Sequence, residues 1–366
     1  MRVAIDASAV VRAKRTGVAN YTANVIENLA AVDPETDFIL CYRLSRWKRR
    51  QYFLETTAPN LSRGVIAPGL GWLSQRGVQV FHGPDARLPE AGRAAMVVTF
   101  HDVFSLVSDE WATPKFRAKK LERYRQAIAR ADKIIAVSEC TKQDILRFLE
   151  VDAKKIDVVY CGVNDGFCRR SDEEIEAVRA KYGLAGPYVL YVGQLATRKN
   201  IVRLLEALTQ ILDHVGPDRL TALLTGDVSF GEDAIGKALK EFKHPKSLVL
   251  PGHVETADLP ALYSGAELFL FPTLYEGFGL PVIEAMACGA PVLTSNVSAL
   301  PEVGGDVALL VDPEDTDAIA AEAVRILENS ALRADLRIRG VERAREFTWR
   351  KTAEETLAVY RSVATF

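Results

Sequence analysis

The sequence lacks the patterns that mark several large classes of protein. Its five cysteines form no C-x-x-C pair, so we expect reduced thiols and a cytoplasmic protein. No apolar run approaches the roughly 20 residues that a bilayer-crossing helix needs. The first residues, MRVAIDASAVV, lack the apolar core and cleavage site of a signal peptide and are typical of a first strand.

Several nucleotide and metal motifs are also missing. No G-x-x-x-x-G-K-[ST] occurs, which excludes a P-loop nucleotidase. No G-x-G-x-x-G follows the first apolar run, which argues against an NAD enzyme. No His/Cys/Asp cluster has the spacing of metal ligands, and no D-x-D suggests a metal-chelated diphosphate. We therefore expect neither a metal nor a resident cofactor.

The composition is that of a soluble globular protein large enough for two domains. The chain has 366 residues, of which 48% are hydrophobic and 26% charged. The charges are unevenly divided, since residues 1–168 hold 25 basic against 19 acidic side chains, and the remainder 21 against 29. Such asymmetry either indicates an anionic partner for the first half or arises by chance.

Apolar runs of strand length alternate with amphipathic helical stretches along both halves of the chain. Continuous Val, Ile and Leu runs between helices are typical of parallel strands buried on both faces. The strands predicted in the first half are 2–6, 37–42, 78–82, 96–101, 134–138 and 156–160, with helices at about 17–30, 114–131 and 139–149. Those predicted in the second half are 188–193, 220–226, 247–252, 268–272, 291–295 and 307–312, with a helix from about 200.

This alternation predicts an α/β protein with two Rossmann-like, doubly wound domains facing each other. We expect an N-terminal domain at 1–168 and a C-terminal domain at 175–349, joined near 161–174 or 184–188. The last helix, 350–366, is expected to pack back on the first domain. Ligands of open α/β sheets bind beyond the carboxyl ends of the strands, so the residues after each strand are the candidates for function.

The segment LYEGFGLPVIEAMACGAPV, at 274–292, is the most informative of these strand ends. Pro281 and Gly289 are ordinary punctuation at the start and end of a helix. Gly277 and Gly279 permit a tight turn or a close approach of the backbone to a ligand. The free amides of the first helical turn, together with the helix dipole, form a site suited to phosphate.

Two glutamates flank this turn. Glu284 lies one turn into the helix, where an acidic residue also complements the helix dipole by about 0.3–1 kcal/mol. Glu276 precedes the glycines and has no such structural explanation. Carboxylates on both sides of a phosphate site suit a ligand with hydroxyl groups at each end, such as a sugar and a ribose.

YEGFGLPVIEAMACGAPV closely resembles the E-x7-E signature of family 4 glycosyltransferases, which are retaining enzymes of the GT-B fold. The resemblance extends over most of the chain, through DASAV with RTGVANYT, VVTFHDV, VSECTKQDI, VGQLATRKN and ALPEVGGDVALLVDPED. It implies that Glu284 binds the ribose of a nucleotide sugar and that Glu276 contacts the transferred sugar. The donor-binding segment then includes Gly277 and the backbone amides of Phe278, Gly279 and Leu280.

A basic pair follows the strand at 188–193. Cations beside a helix N-terminus are disfavoured, so Arg198 and Lys199 call for a compensating anion. The resemblance places a diphosphate there, with Lys199 stabilising the leaving group. Many relatives carry Arg directly after the strand glycine, where this chain has Gln194. Either Arg198 supplies the missing cation, or Arg198 is a solvated surface residue. Asn200 is expected to cap the following helix.

Two further candidates come from the first half of the chain. His101 ends the strand 96–101, where the resemblance implies an approach to the donor sugar or the acceptor, although a structural histidine is the ordinary reading. Gly17 would be the loop glycine nearest the acceptor and the diphosphate, or else a tight strand–helix turn. The stretch 42–53 combines five cations with aromatic residues. This combination suits an acceptor or a membrane surface better than nucleic acid. The alternative is an ordinary solvated loop.

Taken together, these residues predict a retaining, metal-independent glycosyltransferase with its active site between the two domains. The donor is expected to be GDP-mannose, with UDP-glucose or UDP-N-acetylglucosamine as the alternative. A saccharide or lipid-linked saccharide in surface-polysaccharide biosynthesis is the expected acceptor, and the inner face of the plasma membrane a possible location. A sugar phosphorylase, a nucleotide-sugar epimerase and a non-catalytic sugar-nucleotide-binding protein remain alternatives.

Overall fold

The structure is a computed structural model, which describes residues 1–13, 17–66, 77–89, 93–229 and 231–364. The chain forms two compact units. One consists of Met1–Gly162 together with Thr348–Phe366, and the other of Val163–Phe347. We call them unit 1 and unit 2.

Each predicted strand is present, with ends shifted by at most two residues. The strands are β1 (Arg2–Asp6), β2 (Asp37–Arg43), β3 (Leu61–Ile66), β4 (Val80–Gly83), β5 (Ala95–Phe100), β6 (Lys133–Ala136), β7 (Ile156–Val158), β8 (Tyr188–Val192), β9 (Thr221–Thr225), β10 (Leu248–Gly252), β11 (Leu268–Phe271), β12 (Val292–Ser295) and β13 (Leu309–Val311). Strand β3 was not predicted, because Ser62, Arg63 and Gly64 interrupt its apolar residues and none of its six residues is fully buried.

Helices connect these strands. They are α1 (Gly17–Val32), α2 (Phe104–Val107), α3 (Pro114–Arg130), α4 (Glu139–Phe148), α5 (Asp172–Lys181), α6 (Ile201–Val215), α7 (Glu232–Lys240), α8 (Leu259–Gly265), α9 (Leu280–Ala287), α10 (Leu300–Gly304), α11 (Thr316–Glu328), α12 (Ser330–Ala344) and α13 (Trp349–Val363). Thr113 caps α3 and Ser138 caps α4, each by accepting from a backbone N–H three residues on, which is why these helices begin where they do.

Unit 1 is built on a seven-stranded parallel sheet of order β3-β2-β1-β4-β5-β6-β7. The chain order reverses between β1 and β4, which makes that crevice the place where an open α/β sheet binds ligands. Helix α13 belongs to this unit. His82 at the end of β4 is fully buried and hydrogen-bonded to Tyr360 of α13 (2.7 Å) and to Thr99 of β5 (2.8 Å).

Unit 2 is built on a six-stranded parallel sheet of order β10-β9-β8-β11-β12-β13. Its central strands β8 and β11 are almost entirely apolar and buried, as expected for strands covered by helices on both faces. The chain order reverses between β8 and β11, so the segments that follow these two strands meet at the topological switch point. The α/β architecture predicted from the sequence is thus confirmed.

Candidate active site

Arg198, Lys199 and Glu276 form an ion cluster at the switch point of unit 2. The two cations lie on a single 3-10 turn, Thr197–Lys199, after β8, and the carboxylate lies in the loop after β11. Lys199 Nζ donates a short hydrogen bond to Glu276 Oε1, and Arg198 Nη1 lies 3.6 Å from the same oxygen. The Lys199 and Glu276 side chains are only 12% exposed. The structure thus brings together three of the residues predicted to act on the donor.

Asn200 fixes the turn that carries the two cations. Its backbone is left-handed (φ 61°), and its side-chain amide donates to the carbonyls of Pro272 (2.9 Å) and Pro313 (2.6 Å). Asn200 occupies the position before α6, but its side chain does not cap that helix, so the expected capping bond is absent and a cross-link to the end of β11 replaces it. The cross-link holds Lys199 against the loop that contains Glu276.

The loop after β11 is held in place from both sides. Arg198 donates to the carbonyl of Tyr275, and the Leu274 N–H donates to the carbonyl of Arg198 (3.0 Å). The Glu276 N–H donates to Ser298 Oγ (3.1 Å). Burial alone would raise the pKa of Glu276, but Lys199 and then Arg198 outweigh it and hold the pKa below its usual value. Glu276 is therefore an anion at neutral pH.

Helix α9 begins immediately after this loop. Gly279 forms the turn before the helix, Pro281 lies in its first turn and Gly289 follows its end, as predicted. Gly279 adopts a left-handed conformation (φ 107°), and a Cβ there would lie 2.8 Å from Leu300 Cδ2, so the turn requires glycine. Pro281 is in the first turn, and Gly289 follows the end of the helix with φ 74°. Gly277 and Phe278 are buried, and Leu280 is the first helical residue, so the segment predicted to bind the donor is a rigid strand–loop–helix connection.

Glu284 lies on α9, one turn beyond Leu280. It accepts a hydrogen bond from the hydroxyl of Tyr263 (3.3 Å), a buried residue of α8. Burial raises the pKa of Glu284 to about 7, although the Tyr263 hydrogen bond opposes that shift. The pKa values of the two glutamates are therefore shifted in opposite directions. Cations lower the pKa of Glu276, and burial raises the pKa of Glu284.

Arg198, and not Gln194, lies in the ion cluster of unit 2. Gln194 follows Gly193 but is exposed to solvent. Arg198 is only 20% exposed and contacts Glu276, so Arg198 is not the solvated surface residue that the sequence left open. The second cation of the site is therefore supplied from the 3-10 turn.

The roles of Tyr263 and Ser298, and the cross-link made by Asn200, were not predicted from the sequence. Tyr263 and Ser298 come from segments before and after the E-x7-E region, and no local pattern marks them. Only the folded chain brings them to the two glutamates.

His101 lies in unit 1, directly after β5. Its Nε2 is hydrogen-bonded to the carbonyl of Pro84 (2.8 Å), and its ring meets Tyr21 edge-on at 4.6 Å between centroids. Burial lowers the pKa of His101, so the ring is neutral at pH 7. Because a carbonyl can only accept, Nε2 carries the proton and Nδ1 is the ring's acceptor. Gly17 is exposed at the start of α1, and three residues of the RTG loop before it, 14–16, lie outside the described part of the chain.

The basic and aromatic stretch 42–53 is not an irregular loop. Residues Leu44–Tyr52 form a 3-10 helix with a kink at Arg49. Tyr42 and Phe53 stack at 3.7 Å between centroids and anchor its two ends. Leu44 and Trp47 are large apolar side chains that remain 55% and 42% exposed among the cations.

The described residues contain neither a group of metal ligands nor a membrane-spanning helix. Within 1–13, 17–66, 77–89, 93–229 and 231–364, no three His, Cys, Asp or Glu side chains are grouped as metal ligands would be. In the same ranges no helix combines the length and the apolar character needed to cross a membrane.

Comparison with known proteins identifies the family. Residues 15–167 match the model described as glycosyltransferase family 4, and residues 186–329 match the model described as glycosyl transferases group 1. The chain is 35% identical to O-antigen chain mannosyltransferase B of Escherichia coli over 284 residues, which covers 77% of this chain and 74% of that protein. It is 29% identical to the serotype-specific mannosyltransferase WbdA of the same species, over 70% of this chain but only 32% of WbdA.

The fold also matches solved structures. Sucrose-phosphate synthase of Thermosynechococcus elongatus superposes with a TM-score of 0.75 at 22% identity, over 99% of this chain and 98% of that one. Two parallel-sheet units of this kind, one matching each family model, are the GT-B architecture. The chain therefore belongs to glycosyltransferase family 4, and it is a glycosyltransferase of the GT-B fold.

Proposed function

We infer that the protein transfers mannose from GDP-mannose to a saccharide or lipid-linked saccharide acceptor, with retention of configuration and without a metal. The observation that carries this proposal is the Arg198–Lys199–Glu276 cluster beside the N-terminus of α9. Two cations and a helix N-terminus at a switch point suit a diphosphate flanked by sugars.

The ion cluster suggests how the donor enters. In the free protein, Glu276 neutralises Lys199 and Arg198. A diphosphate competes for the same cations, so donor binding would release Glu276 to accept hydrogen bonds from hydroxyls of the transferred sugar. Lys199 would then stabilise the negative charge that grows on the departing diphosphate, the task that a metal ion performs in other transferases.

Glu284 suits the nucleoside end of the donor. A carboxylate accepts hydrogen bonds from two vicinal ribose hydroxyls, and charged acceptors form stronger bonds than neutral ones. The free protein holds Glu284 near its point of half-protonation, with Tyr263 as its partner. Donor binding would therefore favour the ionised form.

His101 suits a neutral contact with a sugar hydroxyl. The hydrogen bond to Pro84 fixes the tautomer and leaves Nδ1 as the acceptor. Because burial keeps the ring neutral, His101 would orient a hydroxyl rather than supply charge. Retention without a protein nucleophile fits a displacement on one face of the sugar, in which the departing phosphate takes the acceptor's proton.

The relatives support mannose as the transferred sugar. Both E. coli proteins described above are mannosyltransferases by name, and the first one aligns with three quarters of its own length.

A thermal-shift panel of GDP-mannose, UDP-glucose, UDP-N-acetylglucosamine and ADP-glucose tests the donor, because a ligand of the native state raises the apparent stability. The proposal predicts the largest shift with GDP-mannose, and a larger shift with a UDP-sugar would overturn the donor assignment. Transfer measured with excess EDTA tests metal independence, and the NMR coupling of the product's anomeric proton tests retention. Turnover of the donor with no acceptor present would instead identify an epimerase.

The 3-10 helix Leu44–Tyr52 suits a contact with an anionic membrane surface, where a lipid-linked acceptor would be found. Trp47 and Leu44 would enter the headgroup region while the surrounding cations meet lipid phosphates.

A further inference from the structure

Unit 1 contains a cavity of about 240 Å³ that the donor site does not account for. This is several times the roughly 30 Å³ that one water molecule occupies in the liquid. Its lining consists mainly of cations and apolar side chains. Four of the lining residues are arginines: Arg43, Arg87, Arg123 and Arg130.

The cavity lies at the carboxyl ends of the strands of unit 1. Its lining includes Asp6 at the end of β1, Arg43 at the end of β2 and Ile66 at the end of β3. Arg87 comes from the loop after β4, the strand on the other side of the switch point. The cavity therefore occupies the position where an open α/β sheet binds its ligand.

The charges around the cavity do not balance. Among the described residues, four arginines line the cavity and two carboxylates offset two of them, because Asp6 pairs with Arg43 (2.6 Å) and Asp85, beside the cavity, pairs with Arg123 (2.8 Å). Two positive charges are left over.

Two of the arginines have clear structural duties. Arg43 is held by Asp6, as described. Arg123 fastens the loop after β4, since its guanidinium donates to the carbonyls of Asp85 (2.7 Å) and Ala86 (3.1 Å). A third, Arg130, donates weakly to two loop carbonyls, each at 3.3 Å.

Arg87 differs from the other three. Among the described residues, no hydrogen-bond acceptor reaches its buried Nε. Within the described part of the chain, its one ion pair is the long 3.8 Å contact with Asp85, a carboxylate that Arg123 already holds. The pKa of Arg87 is lowered, first by burial and then by the charge of Arg123, with Arg43 contributing as well. The Nε–H donor of Arg87 is therefore available to a ligand, and its guanidinium lies near the positive charges of Arg123 and Arg43.

The loop that carries Arg87 also carries the partner of His101. Pro84 accepts the His101 hydrogen bond, and Arg87 lies three residues further on. The loop returns so closely over the end of β4 that a Cβ on Gly83 would lie 1.8 Å from the carbonyl oxygen of Arg87. One rigid turn thus fixes both His101 and Arg87.

We propose that this cavity binds a phosphate group of the acceptor. A phosphate ester carries about two negative charges near neutral pH, which matches the surplus of two, whereas a carboxylate supplies one. Arginine presents paired N–H donors that match phosphate oxygens, and Arg87 supplies the unused donors. The phosphate site stands on the geometry of unit 1 alone, and only its assignment to the acceptor rests on the proposed function.

Calorimetric titration of the full chain tests the proposal, with GDP present in excess to occupy the nucleotide site. Glycerol 3-phosphate and methyl diphosphate serve as probes, with glucuronate as the carboxylate comparison. We expect both phosphates to bind with a stoichiometry of one and at least tenfold more tightly than glucuronate. Tighter binding of the diphosphate identifies a diphosphate-linked acceptor, and tighter binding of the monoester identifies a phosphosugar.

Arg87→Gln should weaken phosphate binding at least tenfold, and it removes no hydrogen bond formed among the described residues. Arg125→Gln, the same change at an exposed position of α3, is the matched control and should bind phosphate as the wild type does. Equal binding by Arg87→Gln and wild type, or loss of phosphate binding in Lys199→Gln, would overturn the proposal. If GDP-mannose fails to bind while Arg87-dependent phosphate binding persists, the proposed function fails and the phosphate site stands.

Discussion

Lys199 and Glu276 are 77 residues apart in the chain and form an almost buried ion pair at the ends of β8 and β11. A pair of this kind loses hydration that its own attraction only partly restores. We propose that the pair is retained for a ligand, because it lies at a switch point rather than in the core.

We expect Lys199→Ala and Glu276→Ala each to lower the rate of sugar transfer by about 10²–10³, the range seen when a charge-stabilising donor is removed from an active site. Glu276→Ala also removes the carboxylate that offsets two nearly buried cations, at a cost of up to about 3–5 kcal/mol, whereas Lys199→Ala costs less because Arg198 remains 3.6 Å from Glu276 Oε1. The double variant Lys199→Met, Glu276→Gln should recover the stability but not the activity. Lys243→Ala, which breaks an exposed pair with Asp213, is the control. Normal transfer by either single variant would remove that residue from the mechanism.

Donor affinity should depend on pH through Glu284. Its pKa is raised to about 7, so below pH 7 the free protein holds a proton that donor binding must release. The affinity for GDP-mannose should therefore fall as the pH decreases from 8 to 6, approaching a tenfold loss per pH unit below 7. Glu284→Gln should bind more weakly and lose this slope, as measured by titration at each pH. A wild-type affinity that stays constant across this range would contradict the role of Glu284.

The stability of the chain should depend on pH through His82. Burial lowers the pKa of His82 to about 3, while the unfolded residue titrates near 6.5. Between these values the unfolded state binds a proton that the folded state does not, so the free energy of unfolding falls as the pH decreases from 6.5 towards 3. The slope contributed by one such group approaches 1.4 kcal/mol per pH unit.

Urea unfolding at several pH values measures this slope. His82→Gln should be less stable at pH 7 and show a shallower dependence on pH, with the remainder due in part to His101, whose pKa is also lowered. An unchanged slope in the variant would assign the effect to other groups.

The contact between Tyr360 and His82 should stabilise unit 1. Tyr360→Phe removes the hydroxyl and leaves His82 Nδ1 buried without this hydrogen bond, which costs about 1–3 kcal/mol. Thermal unfolding compares this variant with Tyr52→Phe, which removes a hydroxyl at a half-exposed position. Equal melting temperatures for Tyr360→Phe and wild type would show that the hydrogen bond contributes nothing.

Binding to anionic vesicles should depend on Trp47. Phosphatidylglycerol vesicles should sediment the wild-type protein at low salt and release it at high salt, because the cations of Leu44–Tyr52 are screened. Trp47→Ala should weaken binding several-fold. Phe116→Ala, with a side chain equally exposed at 42%, should not. Identical behaviour of the two variants would rule out this surface.

The sequence predicted the architecture well, because strands buried on both faces leave a continuous apolar pattern. Strand β3 was not predicted, because it lies at the sheet edge beside β2, where no residue of the strand is fully buried and Ser62, Arg63 and Gly64 interrupt the apolar pattern. The turn before α9 was also predictable, because its glycines and proline determine the backbone conformation of the segment in which they lie. The pairing of Lys199 with Glu276 was not, because each residue was assigned to a different part of the ligand. Neither was the arginine cavity, whose lining comes from separate strand ends and from α3.

A crystal structure of the protein with GDP-mannose tests the central claim most directly. The account predicts diphosphate oxygens within hydrogen-bonding distance of Lys199 Nζ and of the backbone amides that open α9, the ribose hydroxyls on Glu284, and Glu276 turned from Lys199 to the sugar. A bound donor that leaves the Lys199–Glu276 pair intact, or that lies away from the start of α9, would contradict it.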